Sequence, residues 1–446
     1  MKKYQVLMPL ALPLALVASV FYLVQKRTEV NHQYQAYMQA AAEYEKNGVV
    51  ADAVASYEAA LAIRPTLEGY LAIGTLYLNQ QDYYEAQRWY RNELLERYPE
   101  QPQTYAFGVQ AMLGEQNVRE AFDVYDAAQE RGLADDALQQ LMQPVWYSFD
   151  LVGDFTAVTG FSNTAGLAAV QRGELWGYVN TEGERVTPYQ FVRAGTFGEL
   201  APVVDQTGEA YYIDTAGNKK VTASYFLEKD PELGQVKQFA TIQSGLAAAY
   251  NGQVWNYYDA TTYEKKFGGY AGATQITNGV GAVSQDGNRW ALISADGQLL
   301  TDFIFDGVLT DDKGVPCRTQ AVIVRQDGGY RLVDRSTGQP IGTTLYEDAC
   351  AFADNSLAAV KKDGRWIFVS DTGEETDLGE LQCAGSFSAG AAPAQKDGRW
   401  GYIDGQGNWI VEPQFLGAGT FSPAGSAFVQ TAENRWQLLL LFRFHH

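Results

Sequence analysis

The pattern of apolar and polar residues changes twice along the chain, and each change predicts a different kind of element. Val6 to Val24 runs nineteen residues without a charge, preceded by Lys2 and Lys3 and ended by Gln25-Lys26-Arg27. As a helix it would rise about 28 Å, close to the thickness of a bilayer's hydrocarbon. Tyr4 and Tyr22 stand near its two ends, where amphipathic rings prefer the headgroup level. The expectation is a single-pass anchor within residues 1–29, crossing at residues 6–24. The small excess of positive charge on its N-terminal side places the bulk of the chain outside the cytoplasm, at the cell envelope. The alternative is a signal sequence cleaved on secretion, for which the apolar run is long and no Ala-x-Ala site follows. Residues 30–145 then show small and aromatic residues at helical spacing, and residues 146–446 show short apolar strands separated by Gly-bearing turns.

In the helical stretch one order of residues recurs. Tyr37, Ala40, Ala41 and Tyr44 are followed by Ala53, Tyr57, Ala60 and Pro65; Tyr70, Ile73, Gly74 and Tyr77 by Ala86, Tyr90 and Pro99; Tyr105, Gly108 and Met112 by Ala121, Tyr125 and Ala128. Small residues let paired helices approach, and large ones fill the grooves beside them. Ala53, Ala86 and Ala121 lie 33 and 35 residues apart, and the pattern over residues 34–133 resembles the tetratricopeptide repeat, whose period is about 34 residues. It departs at the first aromatic seat, where Tyr replaces Trp, and at Glu93, which should be small. The resemblance implies an α-α superhelix that takes a peptide segment in a concave groove. Its groove positions fall on Gln35, Gln39, Thr75, Asn79, Gln103, Phe107 and Gln110, a set without charge. A last helix from Ala137 to Gln143 would cap the stack.

The strand-rich stretch repeats a unit of strand, tight turn, aromatic strand and Gly. Its aromatic anchors are Trp176, then a departure at Ala210-Tyr211, then Trp255, Trp290, Tyr330, Trp366, Trp400 and Trp436. Asn251-Gly252, Asp286-Gly287, Asp327-Gly328, Asp363-Gly364 and Asp397-Gly398 precede the anchors as hairpin turns. Gly183, Gly217, Gly297, Gly373 and Gly407 follow seven residues later, and Gly338 comes one place late. Trp176-Gly177-Tyr178-Val179-Asn180 and Trp400-Gly401-Tyr402-Ile403-Asp404 resemble the core motif of the WG-repeat (KWG) family, with degenerate copies at Asn256, Ala291, Ile367 and Gln437. About eight units of three or four short strands must bury the faces of small sheets against neighbours, which a β-propeller does. An open β-solenoid is the alternative. The expected architecture is therefore multidomain: transmembrane helix, tetratricopeptide-like superhelix, and an all-β repeat domain.

Composition narrows function more than it names it. The 446 residues carry a net charge of −20 spread along the chain without an acidic block, which argues against nucleic acid as a partner. Three cysteines, Cys317, Cys350 and Cys383, lie 33 residues apart at related places in successive units; a Cys350–Cys383 bridge and buried free thiols are both open. One large residue per unit reads as core filler, and the Arg before Trp290, Trp366, Trp400 and Trp436 as a stacking neighbour. Each Asp-Gly turn brings one carboxylate, too few for a calcium loop. With three histidines, at 32, 445 and 446, no catalytic or metal-ligating set assembles, and no cofactor is implied. The expectation is a non-enzymatic binding or scaffold protein with a protein or peptide partner. A glycan-binding or glycan-acting protein and a mechanical spacer are the alternatives.

Overall fold

The computed structural model describes residues 8–444 apart from 163, 355 and 356, with side chains from residue 24 onward. The chain divides into two compact units, residues 1–148 and 149–445.

The first unit is helical: α1 (Met8–Lys46), α2 (Val50–Ile63), α3 (Leu67–Asn79), α4 (Tyr83–Trp89), a π-helical turn at Tyr90–Leu94, α5 (Leu95–Arg97), α6 (Pro102–Gly114), α7 (Val118–Glu130) and α8 (Asp136–Met142). Thr66, Asp82, Asn117 and Asp135 cap α3, α4, α7 and α8, each accepting a backbone N–H of the first turn. Ala53, Ala60, Ala86, Ala121 and Ala128 are buried between helices as their spacing requires. The first aromatic seat is taken by Tyr34, which is buried, while Tyr37 and Tyr44 are exposed. The spacing reading was thus out of phase in the first pair. Glu93 falls in the π-helical turn and pairs with Arg97 at 2.9 Å.

The membrane expectation is corrected. The uncharged run is not a separate element: α1 continues through Lys26, Arg27 and Glu29, all exposed, and ends only at Lys46. Among the described residues no helix is long and apolar enough to cross a membrane. Residues 1–7 and the side chains of 8–23, on which most of the anchor reading fell, lie outside the described residues. The single-pass placement with its bulk outside the cytoplasm is withdrawn with that reading.

The second unit is all-β apart from a short helix, Ala223–Lys229, and a 3₁₀ turn, Pro231–Leu233. Its sheets are open and antiparallel, most with three or four strands, and one of seven strands merges the first two repeats through Phe191–Ala194. Counted by anchor, the described residues form eight repeats. Phe149–Phe155, from the start of the unit, pairs with Arg435–Leu441 from its end, Phe149 opposite Leu441. Phe155, Val170, Phe428 and Leu438 then pack the last repeat on the first. Successive repeats share further clusters, and Tyr402 meets Phe421 at 4.5 Å between the seventh and eighth. The sheets therefore follow one another in a ring similar to propeller folds, an arrangement that an open solenoid does not have.

One position of the ladder recurs in the packing of every repeat. The residue two after each anchor (Tyr178, Tyr212, Tyr257, Leu292, Leu332, Phe368, Tyr402, Leu438) is fully buried. It shares the anchor's strand face and lies deeper. Where it is Tyr or Phe, the residue across the ladder is small, Ala169, Pro202, Ala248, Ala359 or Pro393; Leu332 and Leu438 face Ile323 and Phe428, whereas Leu292 faces Ala282. The four tyrosine hydroxyls donate to carbonyls of the following repeat: Tyr178 to Gly195, Tyr257 to Thr274 and Tyr402 to Gly419, all 17 residues on. Tyr212 donates to Ala240, 28 residues on, because the short helix is inserted between them. That insertion is the cause of the long interval from Ala210 to Trp255.

Candidate binding site

Of the groove residues expected in the helical unit, Gln35, Gln39, Thr75, Asn79, Gln103 and Gln110 are exposed. Phe107 is not a groove residue. It is buried against Gly74, where an added Cβ would stand 2.6 Å from its ring. The glycine exists to admit this ring.

The repeat anchors Trp176, Trp255, Trp290, Tyr330, Trp400 and Trp436 are half-buried, and Trp366 is buried. Trp176, Trp255 and Trp290 pack at the outer end of the face whose depth belongs to the residue two places on, whereas Trp366 is itself part of the core. Among the described residues the arginines before them stack on no ring. Arg289, Arg365 and Arg435 reach carboxylates of neighbouring strands, at 2.8 Å to Asp306, 2.6 Å to Asp377 and 3.0 Å to Asp154. The Asp-Gly turns do turn chemistry: Asp327, Asp363 and Asp397 and their glycines all have positive φ. Among the described residues no cluster of metal-ligating side chains occurs. The three cysteines are free thiols. Burial, then the neighbouring Cys383 thiol, pushes the Cys350 thiol up to about 12.

The middle of the ring is different in kind. After the short first strand of most repeats comes a small polar residue and then a buried apolar one: Thr196-Phe197, Thr241-Ile242, Gln275-Ile276, Ser386-Phe387, Thr420-Phe421. In the fifth repeat the same place reads Thr310-Asp311, and an inserted loop follows to Cys317. This loop crosses the centre. Thr196 and Gln275 donate to the Lys313 carbonyl at 3.3 and 3.0 Å, and Thr420 donates to the Asp312 carboxylate at 2.8 Å from 108 residues away. Side chains of the second, fourth and eighth repeats meet one loop only where the repeats converge.

Asp311 opens the loop with a side chain 1% exposed, while the apolar seat of this repeat is filled at the loop's end by Cys317, fully buried beside Leu292 and Val322. One oxygen of Asp311 accepts from Arg318 Nε at 2.9 Å and Nη2 at 2.6 Å, and the other from the backbone N–H of Lys313 and Val315, both at 2.9 Å. Lys313, its side chain 6% exposed, pairs with Asp312 at 3.2 Å. The loop divides the centre into two cavities. One, of about 210 Å³, is lined by Ser162, Thr164, Thr196, Phe197, Gln243, Ser244, Gln275, Thr277, Asn278, Lys313, Val315, Cys317 and Arg318. The other, of about 330 Å³, includes Thr310, Asp311, Asp312, Ser386 and Thr420. The cations line the first and the carboxylates the second. Ser244-Gly245 and Asn278-Gly279, with positive φ throughout, form tight turns beside the first cavity. Sequence reasoning missed these residues. The signal available was the break in the small-polar-then-apolar pattern at Asp311, which also accounts for the long interval from Trp290 to Tyr330.

The "WG containing repeat" family matches residues 176–204, 330–366 and 400–436 and no part of the helical unit, so the tetratricopeptide resemblance finds no support there. No curated protein matches the chain. Among solved structures the chain is similar to BamB from Moraxella catarrhalis, with 12% identity over 65% of this chain and 83% of that one, at a TM-score of 0.31. It is also similar to PorZ, described as a surface component of the type-IX secretion system of Porphyromonas gingivalis, with 12% identity over 64% and 42% and a TM-score of 0.33. The WD40 β-propeller domain of Doa1 gives 11% identity over 67% and 100%, with a TM-score of 0.30.

Proposed function

We propose that this chain is a repeat protein that binds a protein or peptide partner without transforming it, and that the cation-lined axial cavity of the β unit holds part of that partner. The observation that carries the reading is the lining itself. Hydroxyl and amide side chains from successive repeats converge on one concave space, the setting in which a few placed polar groups give recognition. Its two charged side chains, Lys313 and Arg318, are each already committed to a carboxylate, so neither is a free acid or base for catalysis. The test is affinity capture with the full chain. Gln243→Trp, which fills the cavity, should lose the partner, whereas Gln406→Trp on an exposed turn should keep it. Equal capture by both variants, with unchanged circular dichroism, would refute the reading.

One observation favours a second reading, glycan binding. An outer cleft of about 610 Å³ brings Trp409 together with Glu380, Asp397, Arg365, Lys396 and Gln382, the combination of aromatic and carboxylate that sugar recognition uses. Quenching of tryptophan fluorescence by soluble oligosaccharides, abolished by Trp409→Ala, would support it; an unchanged spectrum would remove it.

A further inference from the structure

We infer that the group recognised by the axial cavity is an anion, and that its occupant is the carboxylate of an acidic peptide. This rests on the reading of the cavity as the partner site and names the chemistry of what enters it. In a chain of net charge −20, the residues lining this cavity include Lys313 and Arg318 and no carboxylate. Their acidic partners, Asp311 and Asp312, line the other cavity. The loop therefore separates charge across the centre of the ring and leaves one side cationic.

A count of spare donors sharpens the assignment. The hydroxyl protons nearest the cavity are already used: Thr164 donates to the Gly198 carbonyl, Ser244 to Ile276 and Thr277 to Cys317. Asn278 spends its amide on the Cys317 and Arg318 carbonyls. What remains is nitrogen. Arg318 uses Nε and Nη2 on Asp311 and has no partner for Nη1 among the described residues. Among the described residues the Lys313 ammonium has one partner for three donors, and the side-chain amide of Gln243 has none. A guanidinium edge, a nearly buried ammonium and a free amide are unmatched donors, and a carboxylate offers about four acceptor sites to meet them. A neutral polar segment would meet these spare donors with fewer and weaker acceptors than a carboxylate.

The probe is a fluorescein-labelled acidic hexapeptide, read by anisotropy against the full-length chain, beside a twin in which every Glu is Gln and the C-terminus is amidated. The acidic peptide should bind at least tenfold tighter than the twin, and sodium acetate should compete. Gln243→Glu places a negative charge on a side chain that holds nothing in the fold, and should abolish binding while leaving the thermal midpoint unchanged. Equal binding of the twin, no binding of either peptide, or full binding by Gln243→Glu would each overturn the inference. Competition by phosphate but not acetate would overturn the carboxylate assignment in favour of a phosphoryl group. If these fail while Gln243→Trp still loses the partner, the cavity reading stands and only the anion is wrong.

Discussion

Asp311→Ala removes an acceptor that four donors share, and its cost can be worked from the geometry. The Arg318 guanidinium, 18% exposed, loses both of its contacts, and two loop N–H groups lose theirs. Breaking a buried ion pair from one side costs about 3–5 kcal/mol; Arg318 retains some water, so the lower end applies, about 3 kcal/mol. The paired variant Asp311→Leu with Arg318→Met replaces both charges by apolar side chains of similar volume. It leaves no orphaned charge, only the two loop N–H groups without their acceptor, and should recover most of the loss. Urea unfolding followed by near-ultraviolet circular dichroism reads both, with the transitions of the two units fitted separately. A single variant within 1 kcal/mol of the parent, or a double variant as unstable as the single, would refute the reasoning.

Tyr402→Phe should cost about 1–2 kcal/mol, because the Gly419 carbonyl loses its donor in a closed interior; a midpoint equal to the parent's in urea would count against it. Burial pushes the Tyr178, Tyr212 and Tyr402 phenols up. Their stabilisation is complete below the unfolded value near 10 and falls as pH rises above it, by up to about 1.4 kcal/mol per pH unit for each tyrosine; a thermal midpoint flat between pH 9 and 11 would contradict this. Gly401→Ala places a Cβ 2.3 Å from the Val411 carbonyl and should unfold the seventh repeat, whereas Gly405→Ala meets nothing within 4 Å and should be silent; proteolysis of the two variants distinguishes them. The Asp214 carboxyl, held down to about 2 chiefly by the Asn218 backbone N–H and then by Lys220, contributes stability above the usual carboxylate range that is lost as pH falls through about 2. A carbon-13 titration midpoint near 4 would show that contribution absent. With its thiol pushed up to about 12, Cys350 should resist iodoacetamide at pH 8 until urea is added, which mass spectrometry of the alkylated chain can follow.

Local rules were legible where local chemistry decides. Asp327-Gly328 and Asp363-Gly364 turn as their residue types demand, and the glycines after the anchors hold φ near +80°. Depth was not legible. Trp176 drew attention because tryptophan is rare, yet Tyr178 is the residue that fills the interface, since position on a strand and not rarity sets how far a side chain reaches. The tetratricopeptide resemblance implied a groove place for Phe107, and it cannot show that Gly74 opens a buried seat for the ring. The axial site was least legible of all. Thr196, Gln275, Lys313 and Thr420 are ordinary residues in sequence and become a set only when distant repeats converge.

The strand that completes the eighth sheet is the first one of the β unit to be made. At about 5–20 residues per second, a ribosome that has released Phe149 reaches Leu441 on the order of 15 to 60 s later. Through that interval Leu151 and Val152 await Leu439 and Leu438, and the nascent chain displays an unmatched apolar ladder that invites pairing with a neighbouring copy. Loss of Arg435–Leu441 during synthesis would therefore strand both ends of the ring at once.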